Sequence, residues 1–169
     1  EKKFILNNKI NLNDLKIDQI NSLINREQIH RKKIHSFKHK NVLVTGAVGT
    51  IGHEICRQLV FQKAKKIIGI DHSEIGIYQK KNELEKKVQL QLSNINDTIT
   101  LNKLINKHKI NLIIHAAAYK HVNILEDNIL SAVNNNIFGT KNLCEISQKN
   151  NIDFILISTD KAAKPTSIL

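Results

Sequence analysis

Methionine and tryptophan are absent from the 169-residue sequence, proline occurs once, and only three of the 26 basic residues are arginine. Its two cysteines, Cys56 and Cys144, lie far apart, whereas a disulfide framework or a zinc site needs more ligands at closer spacing. Each cysteine falls in an apolar pattern typical of a helix, so we expect reduced, buried thiols in a cytoplasmic protein. The eight histidines also lack the spacing of metal ligands, and we therefore predict no metal site.

No apolar stretch approaches the roughly 18 residues of a membrane span, so we predict no transmembrane segment within this chain. The net charge of +11 could indicate a nucleic-acid partner. The lysines are scattered, however, and arginine, which binds phosphates and bases in a bidentate manner, is nearly absent. Because 28 isoleucines, 23 lysines and 21 asparagines indicate a chain-wide compositional drift, we interpret the charge as solvated surface and predict no nucleic-acid partner.

The first 40 residues are polar, rich in asparagine and lysine, and carry only a weak helical pattern. We expect residues 1–40 to be a lead-in or connector with one short helix, followed by one domain over residues 41–169. Since the chain begins at Glu1 rather than methionine and stops after Leu169, we expect it to be a piece of a longer protein.

From residue 41 onward, short β-branched runs alternate with amphipathic stretches of ten or more residues. Strands are predicted at 42–44, 66–70, 88–92, 112–115 and 154–157, and helices at 50–62, 74–87, 98–107 and 131–149. This alternation is typical of βαβ units with parallel strands. Because crossovers between parallel strands are right-handed, we predict an α/β fold with a doubly wound parallel sheet.

Glycines follow the first predicted strand, in the sequence Thr-Gly-Ala-Val-Gly-Thr-Ile-Gly at 45–52. A loop at this point needs glycine for a tight turn, for close approach to a pyrophosphate and for helix packing, and the next helix offers free N–H groups. Asp71, after the second predicted strand, can accept hydrogen bonds from a ribose diol and repels a 2′-phosphate. The pattern predicts a Rossmann-type site for NAD in preference to NADP; the alternative is turn glycines in a protein that binds nothing.

Longer strings point to one family. They are Val-Thr-Gly-Ala at 44–47, Gly-His-Glu-Ile-Cys-Arg-Gln-Leu at 52–59, Asp-His-Ser-Glu at 71–74, His-Ala-Ala-Ala-Tyr-Lys-His-Val at 115–122, Asn-Ile-Phe-Gly-Thr at 136–140 and Ser-Thr-Asp-Lys-Ala-Ala-Lys-Pro-Thr at 158–166. Residues 41–169 thereby resemble the polysaccharide-biosynthesis (CapD-like) nucleotide-sugar 4,6-dehydratases, a branch of the extended short-chain dehydrogenase/reductase superfamily. Residues 23–29 resemble the lead-in of the long, membrane-anchored members of that family.

This resemblance implies an enzyme of surface-polysaccharide synthesis that acts on UDP-N-acetylglucosamine. It also implies transmembrane helices upstream of Glu1, a sugar-binding domain beyond Leu169, and a place on the cytoplasmic face of the inner membrane. We further expect a homo-oligomer. Without the sugar-binding domain, the 169 residues alone are expected to be inactive.

The resemblance also assigns catalytic roles. NAD+ takes hydride from sugar C4, Lys161 takes the C5 proton, Asp160 protonates the departing C6 hydroxyl, and hydride returns to C6. Thr159 would hold the C4 hydroxyl. The residues themselves allow this, because an acid beside an amine at the carboxyl edge of a sheet can share one elimination. The alternative is that Asp160 caps a turn and Lys161 is solvated.

Further contacts are predicted with the cofactor and the substrate. The residues expected to bind the cofactor are Gly46, Gly49, Thr50, Ile51, Gly52, Asp71, Asn94, Ile95, Ala116, Ala117 and Asn136. Lys120 is the candidate for the phosphates of the UDP-sugar, with a solvated side chain as the alternative. His115 is expected to pack at the end of its strand and bind no ligand.

Two departures from the family pattern keep other functions open. The chain has Ser-Asn-Ile at 93–95 where the family usually has Gly-Asp-Ile, and Leu169 stands at the position of the superfamily's active-site tyrosine. An extended-family epimerase, which would use a tyrosine at 169, is the first alternative. A non-catalytic nucleotide-binding protein that has kept the fold is the second.

Overall fold

A computed structural model describes residues 37–84 and 87–160. Within them, one parallel sheet contains β1 (Asn41–Thr45), β2 (Lys66–Asp71), β3 (Val88–Leu92), β4 (Leu112–His115) and β5 (Asp153–Leu156), in the order β3-β2-β1-β4-β5. The helices are α1 (Thr50–Phe61), α2 (Glu74–Lys80), α3 (Thr98–His108), α4 (Val122–Asp127), α5 (Ile129–Ala132) and α6 (Gly139–Lys149), with a π-helical segment (Val133–Phe138) between α5 and α6. The predicted doubly wound parallel sheet is confirmed. Most of the predicted lead-in lies outside the described residues, so its boundary stays a prediction.

Two buried clusters cover the two faces of the sheet. Because side chains alternate along a strand, Leu43 of β1 faces one side and Val44 faces the other. Leu43 packs in one cluster with residues of α3 and α6, including Leu101 and Leu143. Val44 packs in the other cluster with residues of α1, including Cys56. Both faces are therefore dry, as a parallel sheet requires.

Two predicted helices differ from the observed ones. The helix predicted at 74–87 ends at Lys80, because α2 buries none of its residues and the chain turns to bring Leu84 into the core. The helix predicted at 131–149 extends from Ile129 to Lys149 but contains the π-helical segment, in which the Gly139 N–H reaches the carbonyl five residues back. The helix α4 was not predicted.

The two cysteines differ in their surroundings. Cys56 is buried, and burial raises the pKa of its thiol to about 12. Cys144 is exposed, which corrects the expectation that both thiols are buried. The cause is the helical period, because Leu143 and Ile146 take the buried face of α6 and Cys144 falls between them on the open face. Both cysteines are free, as expected.

Candidate dinucleotide-binding site

The order of the strands creates a cleft where β1 lies between β2 and β4. The chain leaves β1 toward β2 on one side and reaches β4 on the other only after β3. In such a sheet, the loops that follow the two central strands diverge to opposite faces and leave a crevice at their carboxyl ends. Here the crevice lies between Gly46, which follows β1, and Ala116, which follows β4.

The glycine-rich loop is shaped by two close backbone contacts. Gly46 has φ +67°, and a Cβ there would lie 2.7 Å from the Ala116 carbonyl oxygen and 2.8 Å from the Ala117 Cα. A Cβ on Gly52 would collide with the Gly46 carbonyl oxygen. Both positions therefore require glycine, one for the turn beside β4 and the other for packing of α1 onto the loop.

The start of α1 leaves its backbone N–H groups open to a ligand. Gly49 is the N-cap residue and supplies no side-chain cap, and the first turn of the helix contains no acidic residue. The first N–H groups of a helix have no partner within the helix, and its dipole is positive at this end. Thr50 and Ile51, which open the helix, are exposed. An anion such as a pyrophosphate fits this position beside Gly46.

Asp71 lies at the carboxyl end of β2 and links it to the glycine-rich loop. Its carboxylate accepts hydrogen bonds from the Val48 N–H (3.3 Å) and from the Ser73 N–H (3.0 Å). The His72 Nδ1 lies 3.6 Å from the Asp71 Oδ1. Only 8% of Asp71 is exposed, but the residue lines the cleft together with Gly46 and Val48. A ribose diol that reaches this carboxylate would add donors, whereas a 2′-phosphate would add a like charge.

A narrow extension of the cleft continues past Asp71 toward the end of β3. The residues that line it are Gly46, Ile70, Asp71, His72, Ser93, Asn94, Ile95, Ala117 and Asn135. Ser93 carries a buried hydroxyl oxygen with no hydrogen-bond partner among the described residues. Asn94 uses its side-chain oxygen to accept the Asn96 N–H (2.9 Å). Because an unpaired buried hydroxyl favours a polar partner, this narrow pocket suits a single small polar group of a ligand, such as a hydroxyl.

The loop after β4 forms the opposite wall of the cleft. Ala116, Ala117, Ala118 and Tyr119 line it there. The Tyr119 ring meets the His72 ring edge-on, with centroids 5.7 Å apart, so the two rings approach each other across the cleft. Small side chains at 116–118 leave the backbone of this wall open to close approach, and the cofactor contacts of Ala116 and Ala117 stay predictions.

Sequence reasoning assigned no cofactor contact to several lining residues, among them Val48, Ser93, Tyr119 and Asn135. Two of these residues could have been found from the sequence. Tyr119 lies in the family-like string at 115–122, and Ser93 stands where the family usually has glycine. Asn136, predicted to bind the cofactor, uses its side chain for the Tyr119 backbone instead, accepting its N–H (2.8 Å) and donating to its carbonyl (3.0 Å). A helix period cannot tell which of three consecutive asparagines faces a cleft.

Lys120 lies beside a second, mainly apolar groove. This groove shares Ala118 and Tyr119 with the cleft and continues along α4 past Ile124 and Leu125. Lys120 is exposed at its edge. A substrate that reaches the cleft from this groove would pass the lysine ammonium group.

Thr159 and Asp160 follow β5 at the same edge of the sheet. β5 pairs with β4 up to His115↔Leu156, and the Ile157 N–H continues the ladder to the His115 carbonyl (2.9 Å). The chain therefore carries both residues past the end of β5, at the edge of the sheet where the loop at 116–119 also begins. The Thr159 hydroxyl donates to the Asp160 Oδ1 (3.2 Å), and both residues are exposed. Lys161 lies outside the described residues.

His115 is buried at the end of β4 with 1% exposure, in agreement with its expected packing role. Its Nδ1 lies 2.6 Å from the Thr45 hydroxyl and its Nε2 lies 2.9 Å from the Thr140 hydroxyl. Burial penalises the charged ring and lowers the pKa of His115 to about 4. The ring is therefore neutral near pH 7.

We predict that the neutral His115 ring makes the free energy of unfolding decrease at acidic pH. In the unfolded chain the His115 pKa returns from about 4 to its ordinary 6.5. Between these two pH values the unfolded chain therefore binds a proton that the folded chain does not bind. The free energy of unfolding should fall by about 3 kcal/mol from this group as the pH drops from about 6.5 to 4. Nitrogen NMR should show one neutral tautomer from pH 8 to 5, and a ring titrating with a midpoint above 6 would contradict the prediction.

No group of His, Cys, Asp and Glu side chains within residues 37–84 and 87–160 is arranged to hold a metal ion. Among the helices described here, none has both the length and the apolar character of a membrane span.

The parallel sheet, the glycine-rich loop at its central crevice and the acidic end of β2 define a dinucleotide-binding domain of the Rossmann type. The chain belongs to the polysaccharide-biosynthesis branch of the extended short-chain dehydrogenase/reductase superfamily. The family described as "Polysaccharide biosynthesis protein" matches residues 42–169.

Named relatives agree with this assignment. The capsular polysaccharide biosynthesis protein CapD of Staphylococcus aureus is 33% identical over 98% of the chain and 29% of its own length. An inverting UDP-N-acetylglucosamine 4,6-dehydratase of Campylobacter jejuni is 28% identical over 78% of the chain and 40% of its own length. A UDP-glucose 4-epimerase of Rickettsia canadensis is 26% identical over 79% of the chain and 40% of its length. The chain thus spans well under half of the relatives it matches.

Solved structures share the fold. The protein Pen from Bacillus thuringiensis superposes with a TM-score of 0.71 at 29% identity, over 78% of the chain and 41% of its own. The enzyme WbmH of Bordetella bronchiseptica, solved in complex with NAD+, superposes with a TM-score of 0.63 at 26% identity, over 76% of the chain and 42% of its own.

Proposed function

We propose that the full-length protein is an NAD-dependent nucleotide-sugar 4,6-dehydratase that converts UDP-N-acetylglucosamine to its 4-keto-6-deoxy product for surface-polysaccharide synthesis. The observation that carries the proposal is the position of Thr159 and Asp160. Both residues follow β5 at the carboxyl edge of the sheet, and β5 pairs with β4, whose following loop at 116–119 lines the dinucleotide cleft. The dehydratase relative supports this chemistry, and the CapD relative supports a role in polysaccharide biosynthesis.

The cofactor would lie across the crevice, and the described residues fit it. The open start of α1 suits the pyrophosphate, Asp71 suits the ribose diol, and the unpaired Ser93 hydroxyl suits a polar group of the nucleoside beyond it. When bound, NAD+ supplies the oxidant that removes hydride from sugar C4 and returns it at C6.

The protein residues move the protons. Lys161 takes the proton from C5 and returns one there after hydride reaches C6, and Asp160 gives a proton to the C6 hydroxyl as it leaves. Thr159 holds the C4 hydroxyl, which releases its proton to water as hydride leaves C4. Lys120, at the edge of the neighbouring groove, binds the phosphates of the UDP-sugar as a point charge. Elimination needs a base and an acid within reach of adjacent carbons, and neighbouring side chains after one strand provide both.

An isotope experiment tests the reaction. Full-length protein is incubated with UDP-N-acetylglucosamine deuterated at C4, and the products are examined by mass spectrometry and NMR. If the protein is a dehydratase, the sugar product has lost one water, carries the deuterium at C6 and has gained a solvent-derived hydrogen at C5. Absence of water loss would refute the proposal.

An epimerase is the second candidate, because UDP-glucose 4-epimerases are among the relatives. In the same experiment the product of an epimerase would have lost no water and would carry the deuterium at C4. A non-catalytic nucleotide-binding protein would leave the substrate unchanged. The homo-oligomer and the cytoplasmic location stay predictions.

We predict that the protein binds NAD+ at least about tenfold more tightly than NADP+. The 2′-phosphate carries a charge of about −1.5 to −2 and would meet the Asp71 carboxylate in a partly dry cleft. Replacement of Asp71 by asparagine removes the charge and keeps an acceptor oxygen for one of the Val48 and Ser73 N–H groups, so the preference should shrink. Titration calorimetry with both cofactors measures the two dissociation constants.

Glu74→Gln is the matched control for Asp71→Asn. Glu74 is an exposed carboxylate three residues further along, in the first turn of α2, and it does not line the cleft. Its loss should leave the ratio of the two dissociation constants unchanged. Tighter binding of NADP+ by the unmodified protein would show that Asp71 does not select the cofactor.

A further inference from the structure

A chain of buried hydrogen bonds crosses the sheet behind the cofactor cleft. It begins at Thr45, the last residue of β1, passes through the His115 ring at the end of β4, and reaches Thr140 in the first turn of α6. The Thr140 hydroxyl lies 2.7 Å from the carbonyl oxygen of Asn136 in the π-helical segment. Three separate elements are thus joined by side chains that do not line the cleft.

The donors and acceptors in this chain fit one arrangement. The Thr140 hydroxyl donates to the Asn136 carbonyl, so its oxygen accepts the Nε2–H of His115. The His115 Nδ1 then accepts the hydroxyl proton of Thr45. The Thr45 hydroxyl oxygen in turn accepts the Ala116 N–H (3.2 Å), which it shares with the Thr45 carbonyl oxygen (3.2 Å). Every group is satisfied when the ring is neutral, and a second ring proton would leave the Thr45 hydroxyl without its acceptor.

The chain continues to the wall of the cleft. The Asn136 side chain binds both the N–H and the carbonyl of Tyr119, in the manner of one rung of a sheet. Ala116 is therefore held at one end of the loop by Thr45, and Tyr119 at the other end by Asn136. The loop cannot shift without breaking one of these bonds.

The π-helical segment serves this connection. The Thr140 hydroxyl donates to the Asn136 carbonyl four residues back, and the Gly139 N–H bonds to the Asn134 carbonyl five residues back. This widened turn lets Asn136 face Tyr119 while Thr140 faces His115. π-Helical turns inside longer helices occur frequently at functional sites.

The position of the loop also determines the width of the cleft. Gly46 approaches the backbone of Ala116 and Ala117 so closely that a Cβ there would lie within 3 Å of it. A small displacement of the loop would therefore change the space beside the glycine-rich turn. Tyr119 would move relative to His72, which its ring meets across the cleft.

We propose that His115 and Thr140 are positioning residues that hold the loop at 116–119 in the geometry required for dinucleotide binding. Neither touches the cofactor; His115 acts through Thr45 and Thr140 through Asn136. The inference rests on the proposed function, since it assumes a dinucleotide in the cleft.

The test uses the full-length protein and two substitutions at one site. Thr140→Val keeps the shape but removes the hydroxyl, whereas Thr140→Ser keeps the hydroxyl. The measurements are the NAD+ dissociation constant, the backbone hydrogen exchange of residues 116–119 and the melting temperature. We expect Thr140→Val to weaken NAD+ binding about tenfold and to speed exchange in the loop. Thr140→Ser should stay within about twofold of the unmodified protein.

Ile146→Val is the control for general destabilisation. Ile146 is buried in the core on α6 and is not a member of the hydrogen-bond chain. Its truncation should lower the melting temperature without changing NAD+ affinity or exchange in the loop. If both valine variants lose affinity in proportion to their melting temperatures, or if Thr140→Val binds NAD+ normally, the positioning role is wrong.

Two further outcomes remain decisive. If Thr140→Val does not fold, Asn136→Ala breaks the connection at its other end, and unchanged affinity and loop exchange would overturn the proposal. If the unmodified protein binds neither NAD+ nor NADH, the proposed function is wrong. The positioning role is then tested by the backbone hydrogen exchange of residues 116–119 alone. Faster exchange in Thr140→Val but not in Thr140→Ser would support it, and equal exchange would refute it.

Discussion

Replacement of Asp160 by asparagine in the full-length protein should lower the rate of 4-keto-6-deoxy product formation by about 10²–10⁴-fold, the usual contribution of a general acid. Asparagine keeps the size of the side chain and can still accept a hydrogen bond from Thr159, but it cannot deliver a proton to the departing C6 hydroxyl. Hydride removal from C4 does not need that proton. Reduced cofactor should therefore accumulate on mixing with UDP-N-acetylglucosamine, which absorbance can follow.

The matched control is Asp153→Asn. Asp153 lies at the opposite end of β5, where its exposed carboxylate pairs with Lys40 at 2.6 Å. Exposed pairs of this kind contribute about 0–1 kcal/mol, so this variant should fold and keep its activity.

Lys161→Met should stop the reaction at the same stage for a different reason, because no base would remain to take the C5 proton. The two variants are distinguished by solvent exchange. Asp160→Asn can still exchange the C5 hydrogen with deuterated solvent, whereas Lys161→Met cannot. If both variants formed product at near the unmodified rate, Asp160 and Lys161 would be turn and surface residues, and the dehydratase mechanism would be wrong.

The second large effect concerns the glycine-rich loop. Gly52→Ala should lower the free energy of unfolding by about 3 kcal/mol, because the new methyl group would collide with the Gly46 carbonyl oxygen. The obstacle is backbone, which can move aside only if α1 shifts away from β1. Urea unfolding measures the loss.

Gly49→Ala provides the comparison within the same loop. Gly49 has φ −68°, which any residue adopts, and a Cβ there would lie 3.3 Å from the Gly46 carbonyl oxygen. This variant should lose only about 1 kcal/mol, the usual effect of alanine at an N-cap. Equal losses in the two variants would show that Gly52 is not held by the contact seen here.

The strands show how accurately a local sequence pattern predicts secondary structure. β3 and β4 have the predicted bounds, and the other three strands differ by one residue at one or both ends. Buried β-branched runs and turn residues are local signals, and a strand needs little else to be located. Helix ends were less accurate because they depend on burial; α2 stops where its residues no longer reach the core.

Some residues of the candidate site could likewise be predicted from local sequence, and others could not. The glycines at 46, 49 and 52 and the acid at 71 could be found from sequence because each is required by its own strand–turn–helix unit. Asn135 could not be assigned to the cleft from sequence, since it stands among three consecutive asparagines of the π-helical segment, whereas the family strings contained a signal for Ser93 and Tyr119. The His115–Thr140 contact joins residues 25 positions apart through the interior, and no local pattern records it.

The sequence by itself determined the alternation of strands and helices, the phosphate-binding turn and the family, because these depend on residues close together in the chain. Only the tertiary structure decided that β4 lies beside β1, that Asn135 faces the cleft while Asn136 holds Tyr119, and that His115 is neutral. The physical reason is that strand order, burial and hydrogen-bond direction are set by contacts between distant segments. Those contacts exist only after the sheet has formed.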